Sequence, residues 1–228
     1  MIISHKHKFI FLKTRKTAGT TVELVLRELC GPDDIITPLL EDEEAISKGR
    51  KAQNYEVHGW WGSQRPLLKR RVFRKAPQDY GYHSHIVAKH VRHLVDEDVW
   101  NTYFKFSFDR NPWDRQVSDY HFRYRKIDNP PTFAKHVRTH RRARMKNYEV
   151  YSIDGEPCVD FMGRFESLED DLKTALDRIG VALDQDLPRA KAGIRKTKAH
   201  YRDYYDDELR ETIARWYAPE IRLLGYEF

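Results

Sequence analysis

The stretch FIFLKTRKTAGTTVELVLRELC, residues 9–30, changes character twice. Phe9 to Leu12 form an apolar run between Lys8 and Lys13, the pattern of a short buried strand. The segment KTRKTAGTT, residues 13–21, is cationic and rich in hydroxyls: Lys13, Arg15 and Lys16 stand among Thr14, Thr17, Thr20 and Thr21, with Ala18 and Gly19 between. After it, Val22, Val25, Leu26 and Leu29 recur at helical spacing. Thr20 and Glu23 have the spacing of a capping box, and Gly31 with Pro32 ends the helix. The reading is strand, basic loop, helix. A helix N-terminus offers backbone N–H groups and partial positive charge, and a glycine lets backbone approach a ligand closely. The loop therefore suits a phosphate or sulfate group. It does not fit the loop of nucleoside-triphosphate enzymes, where lysine directly follows glycine. Here Lys16 comes before Gly19.

A second junction of this kind lies near the middle of the chain. TYFKFSF, residues 102–108, alternates, with Phe104, Phe106 and Phe108 on one face, and reads as a strand. It runs into DRNPWDRQVSDY, residues 109–120, where Asn111 is a good N-cap and Pro112 suits the first helical position. The helix is expected to reach about Lys126. Arg110 ends the strand, while Arg115 and Ser118 share a helix face, so arginine and hydroxyl together suit a second phosphate. The competing reading pairs Arg110 with Asp109 or Asp114 on the surface. Two anion sites at neighbouring strand ends imply one ligand with two separated anionic groups.

Further along, IVAKHVRHLV (86–95) reads as a helix, CVDFMGRF (158–165) as a strand, and residues 168–179 as a helix capped by Ser167 and closed by Gly180. A last helix spans about 206–217, 32–82 reads as irregular, and 128–148 as a Pro-containing, very basic insertion. Strands alternating with helices predict an α/β fold: three layers, P-loop-like, with a mostly parallel central sheet flanked by helices. One domain is expected to span residues 1–228, with ligand bound beyond the C-terminal strand ends.

Composition bounds the partners. A net charge of +6 and a pI near 9.2 favour an anionic ligand. No window approaches eighteen apolar residues, and MIISHKHKF lacks the apolar core of a signal peptide, so no membrane-spanning helix is expected. Cys30 and Cys158 make no disulfide framework, and a reducing cytoplasm is the simplest setting. The basic run KHVRTHRRARMK, residues 135–146, suits either an acidic glycan or a solvated face.

The residues carry a resemblance. KTRKTAGTT resembles the 5′-phosphosulfate loop of the sulfotransferases that use 3′-phosphoadenosine 5′-phosphosulfate (PAPS). DRNPWDRQVSDY is similar to their 3′-phosphate motif, an arginine followed eight residues on by a serine. GRFESLEDDL and YRDYYDDELRETIARWYAPEIRLLGYEF also resemble this family, in the carbohydrate branch that includes the uronosyl 2-O-sulfotransferases. The resemblance implies that Lys16 contacts the bridging oxygen and sulfonate. It implies that Thr17, Ala18, Gly19, Thr20 and Thr21 hold the 5′-phosphate, with Lys13 and Arg15 beside them. Arg110 and Ser118 would hold the 3′-phosphate. Arg195, Lys196 and Thr197 lie in a segment that resembles the one closing over the cofactor. The chain departs from the branch at Arg15, where proline is expected.

An alcohol attacking sulfur must lose a proton, and a histidine is a natural base at neutral pH. In YGYHSHIVAKH, His83 and His85 match the HxH pair that the glycan 2-O-sulfotransferases carry between the two cofactor motifs. His85 is the expected base and His83 its helper or a substrate contact; His58, His90 and His93 are left to ordinary roles. No carboxylate or cysteine accompanies the pair, so no metal is expected. Trp60, Trp61 and Arg123 are candidate acceptor contacts. The implied reaction moves sulfate from PAPS to a hydroxyl, on a glycan or glycolipid, and releases adenosine 3′,5′-bisphosphate. Two other readings are a kinase with a degenerate P-loop and a non-enzymatic polyanion binder. The first lacks its lysine–glycine order; the second leaves the paired anion loops unexplained, and no nucleic acid is expected.

Overall fold

The computed structural model describes residues 1–56, 81–140, 144–182, 187 and 199–228. The chain opens with β1 (Ile2–Ser4), which turns back into β2 (Phe9–Leu12). The basic loop leads to α1 (Gly19–Leu29), then β3 (Ile35–Ile36) and the short α2 (Glu41–Ala45). Next come α3 (Ala88–Leu94), α4 (Glu97–Thr102) and the central β4 (Phe104–Asp109), followed by α5 (Pro112–Arg123) and α6 (Phe133–Thr139). One turn of helix, α7 (Tyr148–Tyr151), enters the hairpin β5 (Ser152–Ile153) and β6 (Glu156–Pro157). The chain closes with β7 (Phe161–Arg164), α8 (Leu168–Arg178), α9 (Asp207–Trp216) and α10 (Ala218–Leu224).

The five-stranded sheet has the order β3-β1-β2-β4-β7. β2, β4 and β7 run parallel in register, Phe11 opposite Phe106 and Phe106 opposite Phe161. β1 pairs antiparallel with β2 and with β3, so the parallel sheet expected from the sequence occupies the middle and one edge. Alternation along the strands sorts two cores. Phe9, Phe11, Phe106 and Phe108 face Val22, Val25 and Leu26 of α1 and Leu172, Ala175 and Leu176 of α8. On the other face Ile3, Ile10 and Leu12 meet Ala88 and Val91 of α3, Trp100 of α4 and Tyr151 of α7. Helices thus cover both faces, in three layers. A third cluster joins Trp113 and Val117 of α5 to Phe133 of α6 and Ile213 of α9.

Several local expectations are corrected. Thr20 and Glu23 form no capping box: Ala18 is the N-cap of α1, in left-handed conformation and without a side-chain cap, because Glu23 turns inward to Lys13. Ser167 stands at the N-cap of α8, but its hydroxyl bonds the Asp171 carboxylate at 2.8 Å instead of backbone. The helix after Asn111 stops at Arg123, three residues short of Lys126. The Asn111 side chain does cap it, accepting from the Trp113 N–H at 3.1 Å. The segment 32–82 is not wholly irregular, since it contains β3 and α2, and the basic insertion 128–148 contains α6. Among the described residues no helix is long and apolar enough to cross a membrane.

Candidate active site

The sheet places the C-terminal ends of β2 and β4 side by side, and both anion motifs start there. The first is pinned from below. Ser107 of β4 donates to the Leu12 carbonyl at 2.6 Å, and the Thr14 hydroxyl donates to the Phe108 carbonyl. With the Thr14 proton used in that way, the Thr17 hydroxyl donates to Thr14 Oγ1 at 2.8 Å, so Thr17 is turned inward. Lys16 (φ 62°) and Ala18 (φ 56°) are both left-handed, a conformation costing a non-glycine residue roughly 1–3 kcal/mol. Such strain persists where the surroundings over-determine it. The first turn of α1 holds no acidic residue and no side-chain cap. Its N–H groups are therefore left without a side-chain partner, the arrangement that suits an anion.

The cations divide by role. Lys13 is buried, and its ammonium bonds Glu23 at 2.5 Å and Thr20 Oγ1 at 3.4 Å. A Cβ on Gly19 would lie 2.8 Å from Lys13 Cγ. In this structure Gly19 gives room to Lys13, where the sequence suggested room for a ligand. The Arg15 residue is exposed, with its N–H and C=O each bonded at 3.0 Å by the Asn147 side chain. The Lys16 ammonium lies 4.0 Å from the centre of the Phe122 ring.

At the second motif, Arg110 bonds Asp114 through Nε (2.9 Å) and NH2 (2.6 Å), as the ion-pair reading foresaw. Its NH1 also reaches the Lys16 carbonyl at 3.3 Å, and the guanidinium stacks 3.9 Å from the Phe165 ring centre. The two motifs therefore touch. Arg115 is no phosphate grip: it is fully buried, paired with Asp109 and, at 3.4 Å, with Glu220. Ser118 is half-buried on α5, one turn beyond Asp114, and Arg123 at the end of that helix bonds Asp119.

His85 sits just before α3, with Nδ1 3.0 Å from the Lys13 carbonyl. A carbonyl only accepts, so Nδ1 carries the hydrogen and Nε2 keeps its lone pair. Burial pushes this imidazole down to about 3, helped by the Arg15 and Lys13 charges and opposed by the carbonyl bond, so it is neutral at pH 7. His83 is exposed; partial burial, His90 and Arg15 lower it too. Trp60, Trp61, Arg195, Lys196 and Thr197 lie outside the described residues.

Sequence reasoning missed the buried groups beneath the crevice. Asp109 accepts from Arg115, from the Tyr151 hydroxyl at 2.8 Å and from the Arg110 N–H at 2.8 Å. Its place beside Arg110 was visible, but not that it faces inward. Asn147, directly after the basic run 135–146, gave no signal at all.

Residues 1–227 match the sulfotransferase family. A protein of Archaeoglobus fulgidus, described only as uncharacterized, is 28% identical over 102 residues, which is 42% of this chain and 84% of that protein. No solved structure matches the chain. With the family match running over nearly the whole chain, the chain belongs to the sulfotransferase family.

Proposed function

We propose that this sulfotransferase takes its sulfuryl group from PAPS and delivers it to a carbohydrate hydroxyl, as one domain over residues 1–228 of the uronosyl 2-O-sulfotransferase type. The observation that carries the reading is the contact between motifs: Arg110 reaches the Lys16 carbonyl, so the loop suited to a 5′-phosphosulfate and the strand end suited to a 3′-phosphate lie against each other. The donor set fits such a group. The uncapped N–H groups at the start of α1, with Thr17, Ala18, Gly19, Thr20 and Thr21, are suited to the 5′-phosphate, and Lys13 and Arg15 add charge nearby. Arg110 and Ser118 would hold the 3′-phosphate, and Arg195, Lys196 and Thr197 would close over the nucleotide.

PAPS supplies the sulfuryl group and leaves as adenosine 3′,5′-bisphosphate. The protein's part is positional and electrostatic. Lys16 leaves Phe122 and, with the α1 N-terminus, stabilises charge growing on the departing phosphate oxygen. His85 takes the acceptor hydroxyl proton on Nε2, the atom its Lys13 bond leaves open. The anionic donor raises the basicity of this imidazole when it binds, by simple Coulomb attraction. His83 assists, and Trp60, Trp61 and Arg123 contact the acceptor. The free thiols of Cys30 and Cys158 suit a reducing, cytoplasmic setting.

The test is transfer of labelled sulfate from PAPS to an array of glycans and other alcohols. The wild type is expected to label a glycan, and Lys16→Ala to lose about 100-fold or more in kcat. Unchanged turnover in Lys16→Ala removes the assignment.

A further inference from the structure

Asn147 is fully buried yet belongs to neither anion motif. Its side chain closes three hydrogen bonds. Oδ1 accepts the Arg15 N–H at 3.0 Å; Nδ2 donates to the Arg15 carbonyl at 3.0 Å and to Asp109 Oδ1 at 3.3 Å. These partners fix the orientation of the amide, because an N–H needs its oxygen and a carbonyl and carboxylate need its NH2. Asp109 Oδ1 also takes the Arg110 N–H at 2.8 Å, and Arg110 NH1 returns to the Lys16 carbonyl at 3.3 Å. Arg15, Asn147, Asp109, Arg110 and Lys16 thus form a closed ring of bonds joining the loop after β2 to the end of β4.

We infer that Asn147 is a positioning residue for sulfuryl transfer: it clamps the backbone at Arg15 and so fixes where Lys16, the next residue, carries its ammonium relative to Arg110. The inference rests on the sulfuryl-transfer reading above. Lys16 is held in left-handed conformation, and one bonded amide away is the lever that keeps it there. The clamp uses the Arg15 N–H, a donor that proline at this position would lack. The Asn147 side chain bonds the Arg15 backbone and Asp109, not the Lys16 ammonium or the Arg110 guanidinium, so its loss misplaces a contact without removing one.

The experiment compares Asn147→Ala with Tyr151→Phe. The second variant removes the Tyr151 hydroxyl bond to Asp109 Oδ2, 2.8 Å, and leaves the loop clamp in place. For Asn147→Ala, kcat is expected to fall about 100-fold, as for a misplacement near 1 Å. Affinity for adenosine 3′,5′-bisphosphate is expected to change by about threefold or less, because the groups that would hold it remain. Hydrogen exchange at the Arg15 amide should quicken by about tenfold, with β2 amides unchanged. Tyr151→Phe should keep kcat within about threefold. Should Asn147→Ala not fold, Asn147→Ser, which is too short to span both Arg15 groups and adds no charge beside Asp109, is read the same way. An unchanged kcat in the Asn147 variant overturns the inference, as does an equal loss in Tyr151→Phe. If the wild type neither binds adenosine 3′,5′-bisphosphate nor transfers sulfate, the sulfuryl-transfer reading fails, while exchange at Arg15 still decides whether the clamp exists.

Discussion

His85 and Gly19 each take their meaning from Lys13, a buried residue whose ammonium pairs with Glu23. The Lys13 carbonyl fixes the His85 tautomer, and burial holds that imidazole neutral, down to about 3. If His85 is the base, kcat/KM for the free enzyme stays level from pH 8 to about 5.5, with its acid limb far below the ordinary histidine range. A limb near 6.5 would assign the proton transfer to a different histidine. Gly19→Ala should improve helix propensity by about 1 kcal/mol but drive a methyl into the Lys13 stem, an overpacking of about 1–3 kcal/mol. The net expectation is a Tm lowered by roughly 3 °C, measured by thermal unfolding; a raised Tm would mean that Lys13 yields freely. Lys16, Arg110 and His85 were legible in the sequence because each lies in a short local pattern. Asn147 was not, because its partner Arg15 is 132 residues away and an isolated asparagine has no signature. The departure at Arg15 was visible; what the backbone there does was not.

At the scale of elements, β2, β4, α1, α5 and α8 were readable from apolar spacing and caps, since each buries one regular face. β1 was not: three residues carry too little period, and its place comes from antiparallel pairing with β2 and β3. The capping box at Thr20 failed because Glu23 is claimed by an ion pair inside the fold, a tertiary demand that outweighs the local one. Arg115 was misread for the same reason. Facing α9 and α10 from α5, it stands with Asp109, Glu220 and the Tyr217 ring, 4.5 Å from its guanidinium. Its removal leaves two carboxylates buried without a cation. Arg115→Ala is therefore expected to destabilise the fold by about 3–5 kcal/mol in denaturant unfolding. A loss under about 1 kcal/mol would place the network in contact with water.

For the whole molecule, the buried histidines make stability depend on acid. Burial holds His85 near 3 and His136 near 4, while in the unfolded chain each titrates around 6.5. Below 6.5 the unfolded state binds more protons, so the stability these groups contribute above 6.5 is lost as pH falls toward 4 and 3. Glu220, pushed up by burial, works in the opposite sense, losing stability as pH rises above 4.5. The Tm is expected to fall by roughly 5 °C or more between pH 7.5 and 5. A level Tm across that range would mean that the two rings are hydrated. The central claim concerns the crevice itself: two anion sites, one nucleotide. It is tested most directly by calorimetric titration of the wild type with adenosine 3′,5′-bisphosphate, adenosine 5′-monophosphate and ATP with magnesium. The account predicts micromolar binding of the bisphosphate, weakened about tenfold or more when the 3′-phosphate is missing, and no comparable binding of ATP with magnesium. Equal affinity for the monophosphate, or tighter binding of ATP with magnesium, would contradict it.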